Sequence, residues 1–260
     1  MSDTDSMSTP VLTIEGPRAT IRLNRPEHLN RLQPDDLEAL LEHFAQIESD
    51  ASVRVLVLTG TGRAFSAGFD LGKVAERAAS EVEGESSGAA FEVVADRLED
   101  LRVPTICRLN GGVYGGSTDL ALACDFRIGA DTAEMFMPAA RLGLHYYPSG
   151  IKRYVTRLGV NNAKTLFLTG QRLDAAAMLR IGYLTAMVPM ERLDREVDAL
   201  AATLAGNAPN AVAGMKRAIN EFARQALDEP AADARARASM RGAEIKEGIA
   251  AFAEKRTPKF

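Results

Sequence analysis

The run Asn110-Gly111-Gly112-Val113-Tyr114-Gly115-Gly116-Ser117-Thr118-Asp119 joins a glycine turn to a carboxylate at the start of an Ala/Leu-rich segment that ends at Cys124-Asp125. An apolar stretch from Pro104 to Leu109 precedes it, so the order predicted is strand, sharp turn and helix N-terminus. Helix N-termini carry unpaired N–H donors, which suit a site where negative charge collects on oxygen. Gly115 and Gly116 would let a ligand approach that backbone closely. Asp119 falls in the predicted first turn, where the dipole favours the ionised form and hence a base. Such a carboxylate gains from the dipole in any protein, so its position alone does not make it catalytic.

The elements that must hold this segment alternate. Val11 to Asn24 reads as a hairpin with its turn at Glu15-Gly16-Pro17-Arg18. A helix start at Gln33-Pro34-Asp35-Asp36 precedes Leu37, Leu40, Leu41, Phe44 and Ile47 at helical spacing. Val53 to Thr59 is an almost fully apolar run rich in β-branched residues, expected as a strand buried on both faces. Residues 76–90 are charged and small and read as a mobile, lid-like loop before a helix from about Phe91 to Leu101. Strand 104–109, helix 116–123, strand 124–129 and short helices to about residue 181 follow. The alternation predicts an α/β fold with substantial parallel pairing. Residues 1–10 are expected as a disordered tail, 11–189 as the α/β core and 190–260 as an Ala-rich helical region.

Composition narrows the function classes. The chain has 260 residues, 46% of them apolar and 25% charged, with a net charge of −4, which gives no footprint for nucleic acid. No apolar run approaches the ~20 residues that span a bilayer, and no secretory leader is recognisable, so a cytoplasmic location is expected. Cys107 and Cys124 show neither disulfide nor zinc spacing, and no metal is expected.

Four stretches, in order, resemble the crotonase superfamily, also called the enoyl-CoA hydratase/isomerase family: Leu23 to Asn30, Gly62 to Leu71, Asn110 to Asp125, and Leu168-Thr169-Gly170 leading to Ile181-Gly182. The end of the chain, Phe252 to Phe260, is also family-like. The resemblance implies a crotonase-like spiral of ββα units with a helical C-terminal oligomerisation region, a homotrimer or dimer of trimers, and acyl-CoA thioester substrates. No separate cofactor is implied, because coenzyme A is part of the substrate. By position, the oxyanion hole would be the N–H groups of Phe69 and Gly116. One such donor is worth roughly 3–4 kcal/mol in other enzymes. Asp119 matches a catalytic Glu or Asp. Coenzyme A would lie against Arg25, His28 and Leu29 and against Ala67, Gly68, Asp70 and Leu71, with Gly115 beside the thioester.

Two departures from the family pattern bear on the reaction. The second glutamate of family hydratases, after the proline of Met135-Phe136-Met137-Pro138, is here Ala139, which cannot move a proton. Downstream, His145-Tyr146-Tyr147-Pro148 replaces the usual Gly and Pro residues. Tyr146 matches an active-site tyrosine of the methylmalonyl-CoA decarboxylase branch, and Tyr147 a position where dehalogenase and dienoyl-CoA isomerase branches place an aspartate. Both, with His145, either act in the acyl pocket or only shape it. Three functions follow: an enolate-forming enzyme with Asp119 as its single carboxylate acid/base, a malonyl-type CoA decarboxylase using Tyr146, or a catalytically weak acyl-CoA binding protein.

Overall fold

The computed structural model describes residues 9–70, 72 and 87–260. The hairpin is present as β1 (Val11–Glu15) and β2 (Arg18–Leu23), closed by Gly16 with φ +57°. In β2, Ala19, Ile21 and Leu23 are buried while Arg22 is exposed, the alternation that pins a register. Next comes α1 (Pro34–Ser49), whose start is fixed by Asp36 accepting the Gln33 N–H at 2.8 Å. It buries Leu37, Leu40, Phe44 and Ile47.

The sheet continues through β3 (Val55–Gly60), every residue of which is buried, and β5 (Thr105–Leu109), β7 (Phe126–Ala130) and β10 (Ala186–Val188). Its order is β1-β2-β3-β5-β7-β10, antiparallel only between β1 and β2. A second sheet, in the order β4-β6-β8-β9, is built from β4 (Ala64–Ser66), β6 (Gly112–Tyr114), β8 (Glu134–Phe136) and β9 (Arg172–Asp174). Strands β3, β5 and β7 of the first sheet are therefore each followed by a short strand of the second. Helix α2 (Ser87–Asp100) comes after β4, and α3 (Ser117–Ala123) after β6. These are the ββα units expected from the sequence.

Past β8 the chain forms a 3-10 turn (Ala139–Leu142), α4 (Pro148–Leu158), α5 (Val160–Lys164) and, after β9, α6 (Ala175–Arg180). Helices α7 (Leu193–Ala205), α8 (Pro209–Ala223), α9 (Glu229–Ser239) and α10 (Ala243–Glu254) complete it. Helix α7 lies on the sheet itself, where Leu193, Val197 and Ala201 pack on Val55, Val57, Ile106, Ile128 and Ala130. The opposite face and the second sheet share one larger core with α1, α2 and α3.

The structure changes some boundaries. Residue 90 and its three predecessors belong to α2 rather than to the loop read over 76–90; residues 76–86 of that loop lie outside the described residues. Of the expected tail, residues 1–8 lie outside them too, whereas Pro10 is buried and its carbonyl meets His43 Nε2 at 2.9 Å. The segment 112–114, read as part of a glycine turn, is strand β6. No described helix is long and apolar enough to cross a membrane.

Candidate active site

Two backbone turns meet at the C-terminal ends of β4 and β6. A Cβ on Gly68, which has φ +89°, would lie 2.5 Å from the Tyr114 carbonyl oxygen and 3.2 Å from the Gly116 nitrogen. Only glycine fits so close an approach, since a real Cβ would collide with fixed backbone. Hydroxyls stitch the turns together: Ser117 Oγ donates to the Ser66 carbonyl at 3.0 Å, and Ser66 Oγ accepts the Gly68 N–H at 3.1 Å.

The direction of the Phe69 amide follows from its neighbours. Leu32 donates to the Gly68 carbonyl at 2.8 Å, and Asp70 donates to the Leu32 carbonyl at 2.9 Å, which is one parallel bridge. In such a bridge the central residue's own N–H and C=O face the other way. The Phe69 N–H is thus turned from Leu32 toward the side where Gly116 lies. Neither the Phe69 nor the Gly116 amide donates to another atom among the described residues. Phe91 of α2 covers this point, its ring 3.2 Å from where a Cβ on Gly116 would be and 6.3 Å, edge-on, from the Phe69 ring.

Asp119 sits one turn into α3, its N–H bonded to the Gly116 carbonyl at 2.9 Å, and is fully buried. Its Oδ2 accepts from Arg153 Nη1 at 2.6 Å and from the Tyr147 hydroxyl at 2.5 Å. Its Oδ1 is buried with no partner among the described residues. One oxygen is therefore saturated and the other idle, an arrangement that a buried carboxylate sustains only at a cost. Burial pushes the Asp119 carboxyl above its ordinary value, against the pull of Arg153 and the Tyr147 hydrogen bond. This corrects the expectation that the helix start would hold it ionised: in a seven-residue helix deep in the core, desolvation is the larger effect.

Tyr146 and Tyr147 do not play equal parts. Tyr147 donates to Asp119, while Tyr146 stands one step back, donating to Tyr147 Oη at 3.2 Å with the rings stacked at 4.3 Å. Burial first, and then the Asp119 charge, drive both phenols far above their ordinary values, so both stay protonated and act as donors. His145 is exposed, with Nδ1 turned to the Tyr146 carbonyl at 2.8 Å. Ala139 is buried at the start of the 3-10 turn and carries no proton-transferring group.

The structure also brings in residues that the sequence reading passed over. Arg153 pairs with Asp96 at 2.6 Å and approaches Glu99 at 3.4 Å, both on α2, besides Asp119. Burial opposes its charge, but Asp119 and Glu99 outweigh that and hold it protonated. A signal existed, since Gly150, Arg153, Tyr154 and Leu158 share one face of α4, which places an arginine on an apolar stripe. Behind the turn, Thr118 Oγ1 donates to the Gly115 carbonyl at 2.6 Å and takes a 2.5 Å bond from Tyr154, while Tyr183 donates to the Thr118 carbonyl.

The residues assigned to coenzyme A are less uniform. Gly115, with φ +55°, and Ala67 lie in the two turns described above. His28 is exposed in a 3-10 turn, and Leu29 follows it with φ +52°. Arg25 is an ion-paired cation: its Nε reaches both oxygens of Asp36, at 3.2 and 3.0 Å, which ties its side chain to the start of α1. Asp70 is paired with Arg31 at 3.2 Å and caps its own turn through Gly72. Leu71 lies outside the described residues. The described residues contain no group of three or more His, Cys, Asp or Glu able to hold a metal ion.

Comparison with known proteins identifies the family. The family model for enoyl-CoA hydratase/isomerase matches residues 14–260. A short-chain-enoyl-CoA hydratase of Clostridium acetobutylicum is 34% identical over 82% of both chains. A probable enoyl-CoA hydratase of Mycobacterium tuberculosis is 31% identical over 92% of this chain and 93% of its own. Among solved structures, a putative enoyl-CoA hydratase/isomerase family protein from Hyphomonas neptunium superposes with a TM-score of 0.92 at 28% identity, covering 98% of each chain. The chain belongs to the enoyl-CoA hydratase/isomerase family of the crotonase superfamily, and is an acyl-CoA enzyme of that family.

Proposed function

We propose that this enzyme moves a proton along the acyl chain of a coenzyme A thioester, shifting a double bond or protonating an enolate, with Asp119 as its single carboxylate. The observation that carries this reading is the asymmetry of Asp119, whose Oδ2 is held by Arg153 and Tyr147 while Oδ1 is buried and unpartnered among the described residues. In the proposed cycle Asp119 Oδ1 takes a proton from the substrate carbon, and the electron pair moves onto the thioester oxygen. The Phe69 and Gly116 amides receive that oxyanion. The neutral carboxyl then returns the proton at the far carbon of the allylic system, and the enolate collapses to the thioester. Tyr147 keeps its proton and fixes the carboxylate orientation, and Tyr146 supports Tyr147.

Several relatives carry hydratase names. Water addition by two glutamates needs a second carboxylate, and Ala139 stands where the family places it. Decarboxylation of a malonyl-type thioester receives less support from the charges. Arg153 is already shared among Asp119, Asp96 and Glu99, so a substrate carboxylate at Asp119 would meet like charge without a spare guanidinium to offset it. Incubation with enoyl-, dienoyl- and malonyl-type CoA thioesters in deuterated water, read by mass spectrometry, tests the reading. Deuterium at the α and γ carbons of an isomerised product is expected. Carbon dioxide release, water addition alone, or tight binding without turnover across the panel would overturn it.

In this reading the coenzyme A moiety lies along residues 25–29 and 67–71, as the family resemblance implies. A homotrimer, or a dimer of trimers, fits the apolar side chains that α8 and α10 leave exposed, Met215, Ile219 and Phe222 on the first and Ile249 and Phe252 on the second. A cytoplasmic location suits the two buried free cysteines.

A further inference from the structure

The first sheet extends beyond the helix that covers it. Arg22 of β2, Thr59 of β3 and Arg108 of β5 pair side by side across three parallel strands, which directs them to one face. This is the face on which α7 packs, but α7 begins at Leu193, and its first turn reaches Arg108 only through Asp194, at 2.6 Å. Beyond that point a cavity of about 630 Å³ opens between the two sheets. Arg22, Gly60 and Arg108 line it from the first sheet, Gly112, Tyr114 and Glu134 from the second, and Arg63 from the turn between β3 and β4. It lies at the beginnings of β4 and β6, whereas Gly68 and Gly116 lie past their ends, so it is separate from the catalytic turns.

The cavity is built rather than incidental. Asn110 braces the turn that carries Arg63, donating to the Gly62 carbonyl at 2.7 Å and the Ala64 carbonyl at 3.1 Å while accepting the Gly60 N–H at 3.3 Å. Its floor requires glycine, because a Cβ on Gly111 would fall 2.1 Å from the Arg63 carbonyl oxygen.

Its charges are unbalanced. Asp194 answers Arg108, and Glu134 is held by the Tyr114 hydroxyl at 2.7 Å and Arg172 at 3.0 Å. Arg22 and Arg63 make no ion pair or side-chain hydrogen bond among the described residues. Two uncompensated guanidinium groups thus face one concavity in a chain of net charge −4. Guanidinium forks match the paired oxygens of a phosphoryl group, and the volume falls within the range of small-molecule sites.

We infer that this cavity binds a phosphate dianion, free or as the phosphomonoester of a small metabolite, at a second site distinct from that of the thioester. The test is calorimetric titration of the full chain with inorganic phosphate at ionic strength held constant with sodium chloride, and then with ribose 5-phosphate. Saturable binding is expected, weakened at least tenfold in the Arg22→Gln/Arg63→Gln double variant and retained when coenzyme A is saturating. Because both side chains are exposed, the double variant should keep the wild-type melting temperature in phosphate-free buffer. Wild-type protein should gain roughly 3–5 °C at ten times Kd, a gain the variant lacks. Tighter binding of the phosphomonoester would assign an organic ligand, and equal binding the free ion. No saturable heat at 10 mM (about the upper end of useful affinity here), an unchanged isotherm in the double variant, or loss of binding when coenzyme A is present would overturn the inference. So would a change in oligomeric mass in the variant without phosphate binding in the wild type, since the arginines would then serve a neighbouring subunit.

Discussion

In the proposed cycle Asp119 concentrates the chemistry into one side chain, and its two oxygens have different surroundings. Asp119→Asn should lower kcat by about 10²-fold or more, read as loss of deuterium incorporation on a turned-over substrate. Tyr147→Phe removes the donor to Oδ2 and should cost more activity than Tyr146→Phe, which disturbs the carboxylate only through its neighbour. The sign of the pH dependence follows from burial. A base must be ionised, and Asp119 is raised above 3.8, so the acid limb of kcat/KM should lie above the ordinary aspartate range and activity should fall as pH drops through that raised value. Arg153→Leu would leave Asp119, Asp96 and Glu99 without their shared cation, three carboxylates of which one is wholly buried. Stability should drop by about 3–5 kcal/mol in urea unfolding, the usual cost of removing one partner of a buried pair.

At the scale of elements, the proposed oxyanion site is a meeting of two strand ends rather than the property of one helix. Gly68→Ala would require a Cβ at φ +89° within 2.5 Å of the Tyr114 oxygen, so the 66–69 turn must shift away from Gly116. Loss of turnover with only a modest change in secondary structure by circular dichroism is the expected result. The chain end has its own ion pair: Arg256 and the Lys259 N–H bring Glu247 down to about 2. A lowered carboxylate contributes stability above its unfolded value of 4.5 and loses it as pH falls toward 2. Glu247→Gln should therefore flatten the pH dependence of thermal stability within that window, remove the contribution at neutral pH, and leave the slope near neutral pH unchanged.

At the scale of the whole molecule, α7 completes the sheet, while α8 and α10 expose apolar side chains. Phe222 and Phe252 are 72% and 89% exposed, more than an isolated soluble chain usually leaves on two helices. Light scattering should report a multimer of the 260-residue chain, and Phe222→Glu/Phe252→Glu should shift it toward a monomer without unfolding α7 or the sheet. An unchanged mass would remove these faces from the assembly.

What the amino-acid order settled by itself was the elements with long, regular patterns. The hairpin, α1, β3 and β5 stand within a residue or two of their expected limits, because apolar spacing is a local property that burial then rewards. The turn at Gly115-Gly116 and the place of Asp119 in the first turn of α3 were likewise legible, since motif spacing survives without coordinates. The second sheet was not: strands of three residues, such as β4, β6 and β8, are too short to show a period and exist only through pairing with segments far along the chain. Nor could the order of residues show that Arg153 reaches back to Asp119, that Tyr147 rather than Tyr146 touches it, or that Arg25 is occupied by Asp36. These depend on which side chains are desolvated together, and desolvation is decided only when the helices close on the sheets.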